Sequence, residues 1–233
     1  MARSIPPDRL RQLVDVATDV FVTQGYQRTQ MEDVARALGV GKGTLYVYVE
    51  GKAALFDAAL RYADGHEALP EASALPLANP APGATAATLR ARLAAGTRDL
   101  ALVAAMGRAG PCDPAVELTA IVRDLYERLA SNRRAIKLVD RCASELPELA
   151  AVWFDEGRWA QHAALAHYLD RRVAEGSLRP VPSTAVAART LLELIAFWAV
   201  HRHWDPSPQR VAEEDVRGTV VVLALHGLVK ESS

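Results

Sequence analysis

The stretch LGVGKGTLY, residues 38–46, is compatible with two different structures. Gly41, Lys42, Gly43 and Thr44 fit the end of a loop that holds a phosphate, with Lys42 against the ligand. The same four residues fit a tight turn that leads into a short exposed helix. The sequence on either side decides between these structures, and with them between two classes of function.

The phosphate-loop interpretation fails on the residues that such a loop requires. A glycine must precede Gly41 by five positions, so that successive amides can curl around the phosphates, but Arg36 stands there. A buried strand must lead into the loop, whereas residues 31–38 carry apolar side chains at helical spacing. The hydroxyl that holds magnesium must follow Lys42 directly, and Gly43 occupies that position. A nucleotide-binding enzyme that uses Lys42 is therefore the less favoured interpretation.

The composition predicts a soluble cytoplasmic protein without a membrane span. The chain has 233 residues, a net charge of -1 and 50% hydrophobic residues, which excludes a nucleic-acid binder that works through an overall basic field. Cys112 and Cys142 are too few for a disulfide framework, so we expect a reducing compartment. The first ten residues contain two prolines and an aspartate instead of the apolar run of a signal peptide.

Helical periodicity recurs along the whole chain and predicts an all-α protein of about nine helices. Residues 10–21 form one apolar stripe, and Thr29 with Glu32 predicts the cap of a second helix over residues 31–38. Later helices are predicted over residues 52–69, 88–106, 114–146, 148–175, 184–204 and 213–230, with a proline-rich irregular segment over residues 70–87.

The two short helices around Gly39 predict a helix-turn-helix motif over about residues 30–49. Gly39 can take the positive φ that the turn requires. Val40 and Leu45 then lie between the helices, which leaves Tyr46 and Tyr48 on the exposed side with Lys42, Gly43 and Thr44. Exposed tyrosines beside a lysine and a threonine suit contacts with DNA phosphates. The alternative for Tyr48 is that it packs on the first helix of the domain.

The sequence of residues 21–60, FVTQGYQRTQMEDVARALGVGKGTLYVYVEGKAALFDAAL, resembles the DNA-binding domain of tetracycline-repressor-type transcriptional regulators. The positions that match this family include Gly25, Tyr26, Thr29, Ala35, Gly39, Val40, Gly43, Thr44, Leu45, Tyr46, Lys52 and Leu55. The chain departs from the family pattern at Gly41, Tyr48 and Val49. A glycine in place of serine at position 41 weakens the helix cap by only about 0.3 kcal/mol.

The resemblance implies a site and a domain arrangement. A three-helix DNA-binding domain is expected over residues 7–67, and a helical effector-binding and dimerisation domain over residues 68–233. Base edges would be approached by Lys42, Gly43 and Thr44, and phosphates by Tyr46, Tyr48, Lys52 and the first amides of the fourth helix, with Thr29 in the same site. The expected partners are a double-stranded DNA operator, a second copy of the chain and a small apolar or amphipathic effector.

The C-terminal domain offers candidates for the effector pocket and the dimer interface. Aromatic side chains with a few polar groups suit an apolar ligand, and the candidates are Tyr126, Trp153, Phe154, Trp159 and His162. Residues 184–204 are apolar around almost the whole helix, which predicts burial on both sides, so they are expected to join residues 161–175 in the dimer interface. The interface candidates are Leu191, Leu192, Ile195 and Trp198.

No metal, cofactor or catalytic site is predicted. His201 and His203 lie two residues apart and therefore point to different helix faces, without an acidic or cysteine partner at ligand spacing. Nothing in the chain resembles a catalytic constellation. The sequence therefore predicts a DNA-binding regulator rather than an enzyme, most simply a repressor released by a small molecule. A regulator that binds DNA without sensing a ligand is the alternative within the same class.

Overall fold

The computed structural model describes residues 7–97, 100–108, 112–207 and 210–230. Within these ranges the regular structure is helical, apart from two isolated β-bridges, Val49 with Leu77 and Leu178 with Val229. The prediction of an all-α fold is confirmed. No helix among the described residues is long and apolar enough to cross a membrane.

The described residues contain twelve α-helical segments, numbered in chain order. They are α1 (Pro7–Gln24), α2 (Met31–Leu38), α3 (Lys42–Leu45), α4 (Lys52–Tyr62), α5 (Ala84–Thr97), α6 (Ala101–Gly107), α7 (Pro114–Ser131), α8 (Arg133–Cys142), α9 (Pro147–Ala150), α10 (Ala160–Ala174), α11 (Thr184–Ala199) and α12 (Glu213–Leu228). A π-helical stretch, Ala151–Trp159, connects α9 to α10. The finer division replaces the roughly nine longer helices expected from periodicity.

The predicted helix over residues 114–146 is interrupted in the structure. Helix α7 ends at Ser131, and the Asn132 backbone leaves helical geometry at φ -113° and ψ 20°. The Asn132 side-chain amide donates to the carbonyl oxygen of Arg128 at 2.9 Å, which satisfies one of the carbonyls left free at a helix end. Apolar spacing continues across this break, so the periodicity alone does not reveal it.

The chain forms two compact units. The first contains Met1–Arg90 and Arg134–Trp153, and the second contains Ala91–Arg133 and Phe154–Ser233. The first unit therefore includes α8 in addition to α1–α4, because the chain leaves this unit and returns to it. The division of the chain into domains at residues 67 and 68 stays a prediction.

The first unit is built around the apolar face of α1. Leu13, Val14, Ala17 and Phe21 are fully buried, as their helical spacing predicts. Phe21 forms an aromatic cluster with Tyr26 and Phe56, with ring centroids 5.1–6.0 Å apart. Gly25 ends α1 at φ +86°, and a Cβ atom there would lie only 2.3 Å from Glu145 Oε1. Glycine is favoured at this turn because the backbone is left-handed, a conformation that strains other residues.

A buried ion pair lies in the core of the second unit. Arg172 on α10 donates from Nε and Nη2 to the two carboxylate oxygens of Glu117 on α7, each at 2.7 Å. The Tyr168 hydroxyl donates to Glu117 Oε2 at 3.0 Å. Both partners of the pair are almost completely removed from solvent. A buried charge must be paired, so these contacts fix the position of α7 relative to α10.

Candidate nucleic-acid interface

The helix-turn-helix motif has the three-residue turn expected from the sequence. Helix α2 ends at Leu38 and α3 begins at Lys42. Gly39 takes φ +70°, and the following amide of Val40 donates to the carbonyl oxygen of Ala35 at 3.0 Å. Leu45 is fully buried and fixes α3 against the domain core. Residues 7–41 contain helices α1 and α2 but no strand, so the stretch around Lys42 does not have the structure of a phosphate-binding loop.

The start of α2 differs from the prediction, and Thr29 is not a DNA-facing side chain. The N-cap residue is Gln30, whose amide donates to the Asp33 carboxylate at 3.0 Å. Thr29 is buried, and its hydroxyl donates to the carbonyl oxygen of Gly25 at 2.6 Å. The prediction that Thr29 belongs to the contact surface and forms a cap with Glu32 is therefore wrong. Its hydroxyl instead stabilises the turn after α1.

The exposed surface of the motif is formed by the first turn of α3 and the residues after it. Lys42, Gly43 and Thr44 are exposed, and Tyr46 is 42% exposed, as expected. Tyr48 is only 5% exposed, so its predicted phosphate contact is wrong, and its side chain is buried inside the domain. The reason is that α3 ends at Leu45, and the turn that follows directs Tyr48 inwards and exposes Val47.

Lys42 is already paired with an acidic side chain in the free protein. Its ammonium group donates to Glu32 on α2, and both side chains are about half exposed. The hydrogen bond with Glu32 raises the pKa of Lys42, and the same bond lowers the pKa of Glu32. An exposed pair of this kind contributes little to stability and is screened by salt. A DNA phosphate or base would therefore compete with Glu32 for Lys42 at small cost.

Lys52 has a structural role in the domain. Its ammonium donates to the carbonyl oxygens of Tyr26 at 3.0 Å and Gln27 at 3.4 Å, and lies 4.6 Å from the Tyr26 ring centroid. These contacts hold the turn between α1 and α2. The amide of Ala54 in the first turn of α4 donates to Asn79 Oδ1 at 3.2 Å. This amide is therefore already engaged, contrary to the expectation that the first amides of the fourth helix face phosphate.

The predicted effector-pocket residues occupy different environments. Trp159 and His162 are brought together with ring centroids 5.5 Å apart, but Trp159 is 65% exposed and cannot enclose a ligand there. The Tyr126 hydroxyl donates to Glu213 at 3.0 Å, and burial raises the Tyr126 pKa to about 12. The Trp153 indole donates to Asp140 at 3.1 Å within the first unit. Phe154 is half-buried.

A cleft in the second unit is lined by other residues. Its volume is about 120 Å³, and its walls are formed by Trp198, Val211, Asp215, Val216, Thr219 and Val220. Ligand pockets usually enclose about 300–1,000 Å³. This cleft is therefore too small for a typical effector.

Three of the four predicted interface residues are core residues of the single chain. Leu191, Leu192 and Ile195 are buried inside the second unit, so the assignment of these side chains to a dimer interface is wrong. Trp198 is half-buried and lines the cleft. The exposed apolar side chains of this region are Val186 and Phe197 on α11, and Val222 and Leu223 on α12. Periodicity identified α11 as an unusually apolar helix but could not show which turns pack within the chain.

Comparison with known proteins identifies both parts of the chain. Residues 13–59 match the model of bacterial regulatory proteins of the tetR family, and residues 116–224 match the C-terminal domain of AefR-like transcriptional repressors. The HTH-type transcriptional regulator YhgD of Bacillus subtilis is 42% identical over 50 residues, which cover 22% of this chain. The match spans 26% of the length of YhgD.

Solved structures share the fold over almost the whole chain. The ketosteroid transcriptional regulator KstR2 of Mycobacterium tuberculosis has a TM-score of 0.61 at 16% identity, and 99% of this chain and 100% of KstR2 are covered. SCO3833 of Streptomyces coelicolor A3 has a TM-score of 0.56 at 23% identity, with 94% and 91% covered. AibR, solved with isovaleryl coenzyme A and operator DNA, has a TM-score of 0.53 at 16% identity, with 92% and 97% covered. The chain belongs to the tetR family of bacterial regulatory proteins and is a helix-turn-helix transcriptional regulator.

Proposed function

We propose that this regulator acts in the cytoplasm as a homodimer that represses transcription from a palindromic operator and is released by a small apolar or amphipathic effector. The observation that supports this function best is the exposed row of Lys42, Gly43, Thr44 and Tyr46 at the second helix of the motif. This row offers a positive charge, hydroxyl groups and a close backbone approach, which suit a DNA groove.

A single domain offers a small contact surface, and this favours binding by two copies. Residues 1–52 contain seven basic and six acidic side chains, so the domain lacks a strong positive field of its own. Phe197 on α11 and Val222 and Leu223 on α12 are exposed apolar side chains of the second unit, and the three are here called the α11–α12 surface. Val222 and Leu223 follow Thr219 at helical spacing, and Thr219 shares the cleft with Trp198. We propose that a second copy covers this surface.

The dimer predicts a two-fold symmetric binding site that depends on the α11–α12 surface. Duplexes enriched by the protein from a random-sequence pool should be palindromic, because operator symmetry mirrors the symmetry of the dimer. Leu223→Arg places a charge in the proposed interface and should yield monomers in light scattering. The affinity of this variant for the enriched duplex should fall by about a hundredfold or more, because the two half-sites are no longer linked.

Val116→Arg is the matched control, because Val116 is an exposed apolar residue on α7 in the same unit. This variant should stay dimeric and keep its affinity for the enriched duplex. A dimer of unchanged size after Leu223→Arg would exclude the α11–α12 surface as the interface. Enriched duplexes without two-fold symmetry would contradict the proposed mode of DNA binding.

The chain path suggests how an effector could act on the DNA-binding domain. Only Asn132 separates α7 of the second unit from α8, most of which belongs to the first. Within the first unit, Arg141 donates to the carbonyl oxygen of Gln24 at 2.8 Å, and Glu145 accepts from the Gln27 amide at 2.6 Å. A ligand that moves α7 would therefore act through α8 on the turn before the helix-turn-helix motif.

An effector should stabilise the protein and weaken its hold on DNA. AibR was solved with isovaleryl coenzyme A, so a panel of acyl-coenzyme A thioesters is a suitable first probe. A ligand of the folded state raises the melting temperature, and at about 100 times its Kd it adds about 2.7 kcal/mol to the free energy of unfolding. The same compound should lower operator affinity. Compounds that stabilise the protein and leave operator affinity unchanged would instead support a regulator that does not respond to them.

A further inference from the structure

The proline-rich segment over residues 71–83, here called the strap, returns to the end of the helix-turn-helix motif. Leu77 pairs with the backbone around Val49 in an isolated parallel β-bridge. The Glu50 amide donates to the Leu77 carbonyl oxygen at 2.9 Å, and the Leu77 amide donates to the Tyr48 carbonyl oxygen at 2.8 Å. The strap is therefore bonded directly to the turn that follows α3.

Side chains fasten the strap at two further points. The side-chain oxygen Oδ1 of Asn79 accepts from the Ala54 backbone amide of α4 at 3.2 Å, and the Asn79 backbone amide donates to Oε2 of the Glu50 side chain at 2.9 Å. Asn79 Oδ1 also lies 3.2 Å from the place that a Cβ atom would take at Gly51, so the fit there is close. Leu77 packs on a buried cluster of Val14, Ala58 and Tyr62 from α1 and α4.

Helix α3 needs support of this kind because it contains only four residues. One helical turn has a nucleation cost that its own hydrogen bonds do not recover, so its orientation depends on neighbouring groups. On the inner side Leu45 and Val49 provide this support by burial. The strap provides it on the C-terminal side, because it holds Tyr48 and Glu50 through their backbone.

The strap itself is poorly suited to bind DNA. Glu71 is the only charged residue among residues 71–83, and the segment has no lysine or arginine. Phosphate affinity comes mainly from basic side chains, so the strap adds none. Its contacts instead determine where the exposed residues of α3 lie.

We propose that the strap is a positioning element for α3 and that Asn79 is the residue that holds it in place. This inference rests on the proposed binding of a palindromic operator. The strap keeps Lys42, Gly43 and Thr44 in the orientation in which they meet base edges, and thereby increases the preference for the operator over other DNA. The Asn79 side chain acts through the Ala54 amide and is not a DNA contact, whereas the bond to Glu50 comes from the backbone of residue 79 and remains in side-chain variants.

Asn79→Ala tests this role, with the duplex enriched by the wild-type protein and a scrambled duplex of equal composition as probes. The ratio of operator to scrambled affinity should fall about fivefold, the effect of losing one helix-capping contact in the site. Affinity for the scrambled duplex should stay within about twofold, since phosphate contacts do not depend on base register. Hydrogen exchange of the Glu50 amide should accelerate, because this amide is bonded to the strap.

Two variants separate positioning from a general loss of stability. Asn79→Asp keeps an oxygen acceptor for the Ala54 amide, so it should restore both Glu50 protection and the affinity ratio. Ser183→Ala removes the side-chain cap of α11, which accepts from the Val186 amide, and should leave the ratio unchanged. The inference is overturned if Asn79→Ala exposes Glu50 to exchange without changing the ratio, or if Ser183→Ala lowers the ratio equally. Failure of the wild-type protein to enrich any duplex would overturn the proposed function itself.

Discussion

Replacing Arg172 with methionine is expected to lower the free energy of unfolding by about 3–5 kcal/mol, as measured by urea titration, because the buried carboxylate of Glu117 loses its partner. Arg172 supplies both donors of the bidentate pair at 2.7 Å, and the side chains of Arg172 and Glu117 are only 2% and 3% exposed. Tyr168, the half-exposed Arg108 and the Cys112 thiol also interact with the carboxylate. They cannot replace a buried guanidinium.

The double variant Glu117→Gln/Arg172→Met is the control for this prediction. It removes both charges, so most of the lost stability should return, as happens when a buried pair is replaced as a unit. If the double variant is as unstable as Arg172→Met, the loss comes from packing and the assignment of the effect to an unpaired charge is wrong. Arg189→Met removes an exposed cation of an i,i+4 pair and should change stability little.

The contribution of Glu117 to the pH dependence of stability should change sign between the wild type and Arg172→Met. Burial alone would raise the pKa of Glu117, but the hydrogen bonds from Arg172 and Tyr168 outweigh it and lower the pKa below its ordinary value. This contribution is present above the unfolded pKa and is lost as the pH falls through the folded pKa. In Arg172→Met burial dominates and raises the pKa of Glu117, so protonation of this carboxylate should stabilise the variant, and Arg172→Met should lose less stability than the wild type as the pH falls.

The helix-turn-helix motif could be predicted because its signals are local. Gly39 is needed at a positive φ, and the apolar spacing of residues 31–38 marks the helix before it. The error at Tyr48 has a local cause as well. Helix α3 ends at Leu45, whereas the prediction continued the helix to Val49. Tyr48 therefore lies in a turn, and the helical spacing that was used to place its side chain on the exposed face does not apply there.

The C-terminal half was less predictable because its contacts are long-range. Glu117 and Arg172 are 55 positions apart in the chain. Nothing in the sequence distinguishes either of them from a charged residue on the protein surface. Leu191 and Ile195 were apolar in the expected helix, but the sequence does not distinguish packing on α7 or α10 from packing on a second chain. The pairing of Leu77 with Tyr48 and Glu50 is also a long-range contact and could not be predicted. The proline-rich segment has neither helical nor strand spacing of apolar residues that would indicate it.

Lys42→Ala and Tyr46→Phe are expected to weaken DNA binding in different ways. If Lys42 contacts a base edge, its removal should lower operator affinity by about tenfold in each half-site, and therefore by about a hundredfold for the dimer, with a smaller loss on scrambled DNA. Tyr46→Phe removes one hydroxyl contact to phosphate, so the affinities for both duplexes should fall about equally. Arg123→Ala, which removes an exposed cation on α7, controls for the loss of net charge.

The salt dependence of binding distinguishes the two possible contacts of Lys42. If Lys42 meets only phosphate, the slope of log affinity against log salt should flatten by about one for each half-site, and the loss should be equal on both duplexes. If it meets a base, the loss should remain larger on the operator at every salt concentration. In either case DNA must displace the Glu32 carboxylate, which holds Lys42 in the free protein. The single variant Glu32→Gln should therefore bind DNA more tightly than the wild-type protein. Unchanged affinity and unchanged salt dependence after Lys42→Ala would remove this side chain from the interface, and α3 would then have to bind through Thr44 and Tyr46 alone.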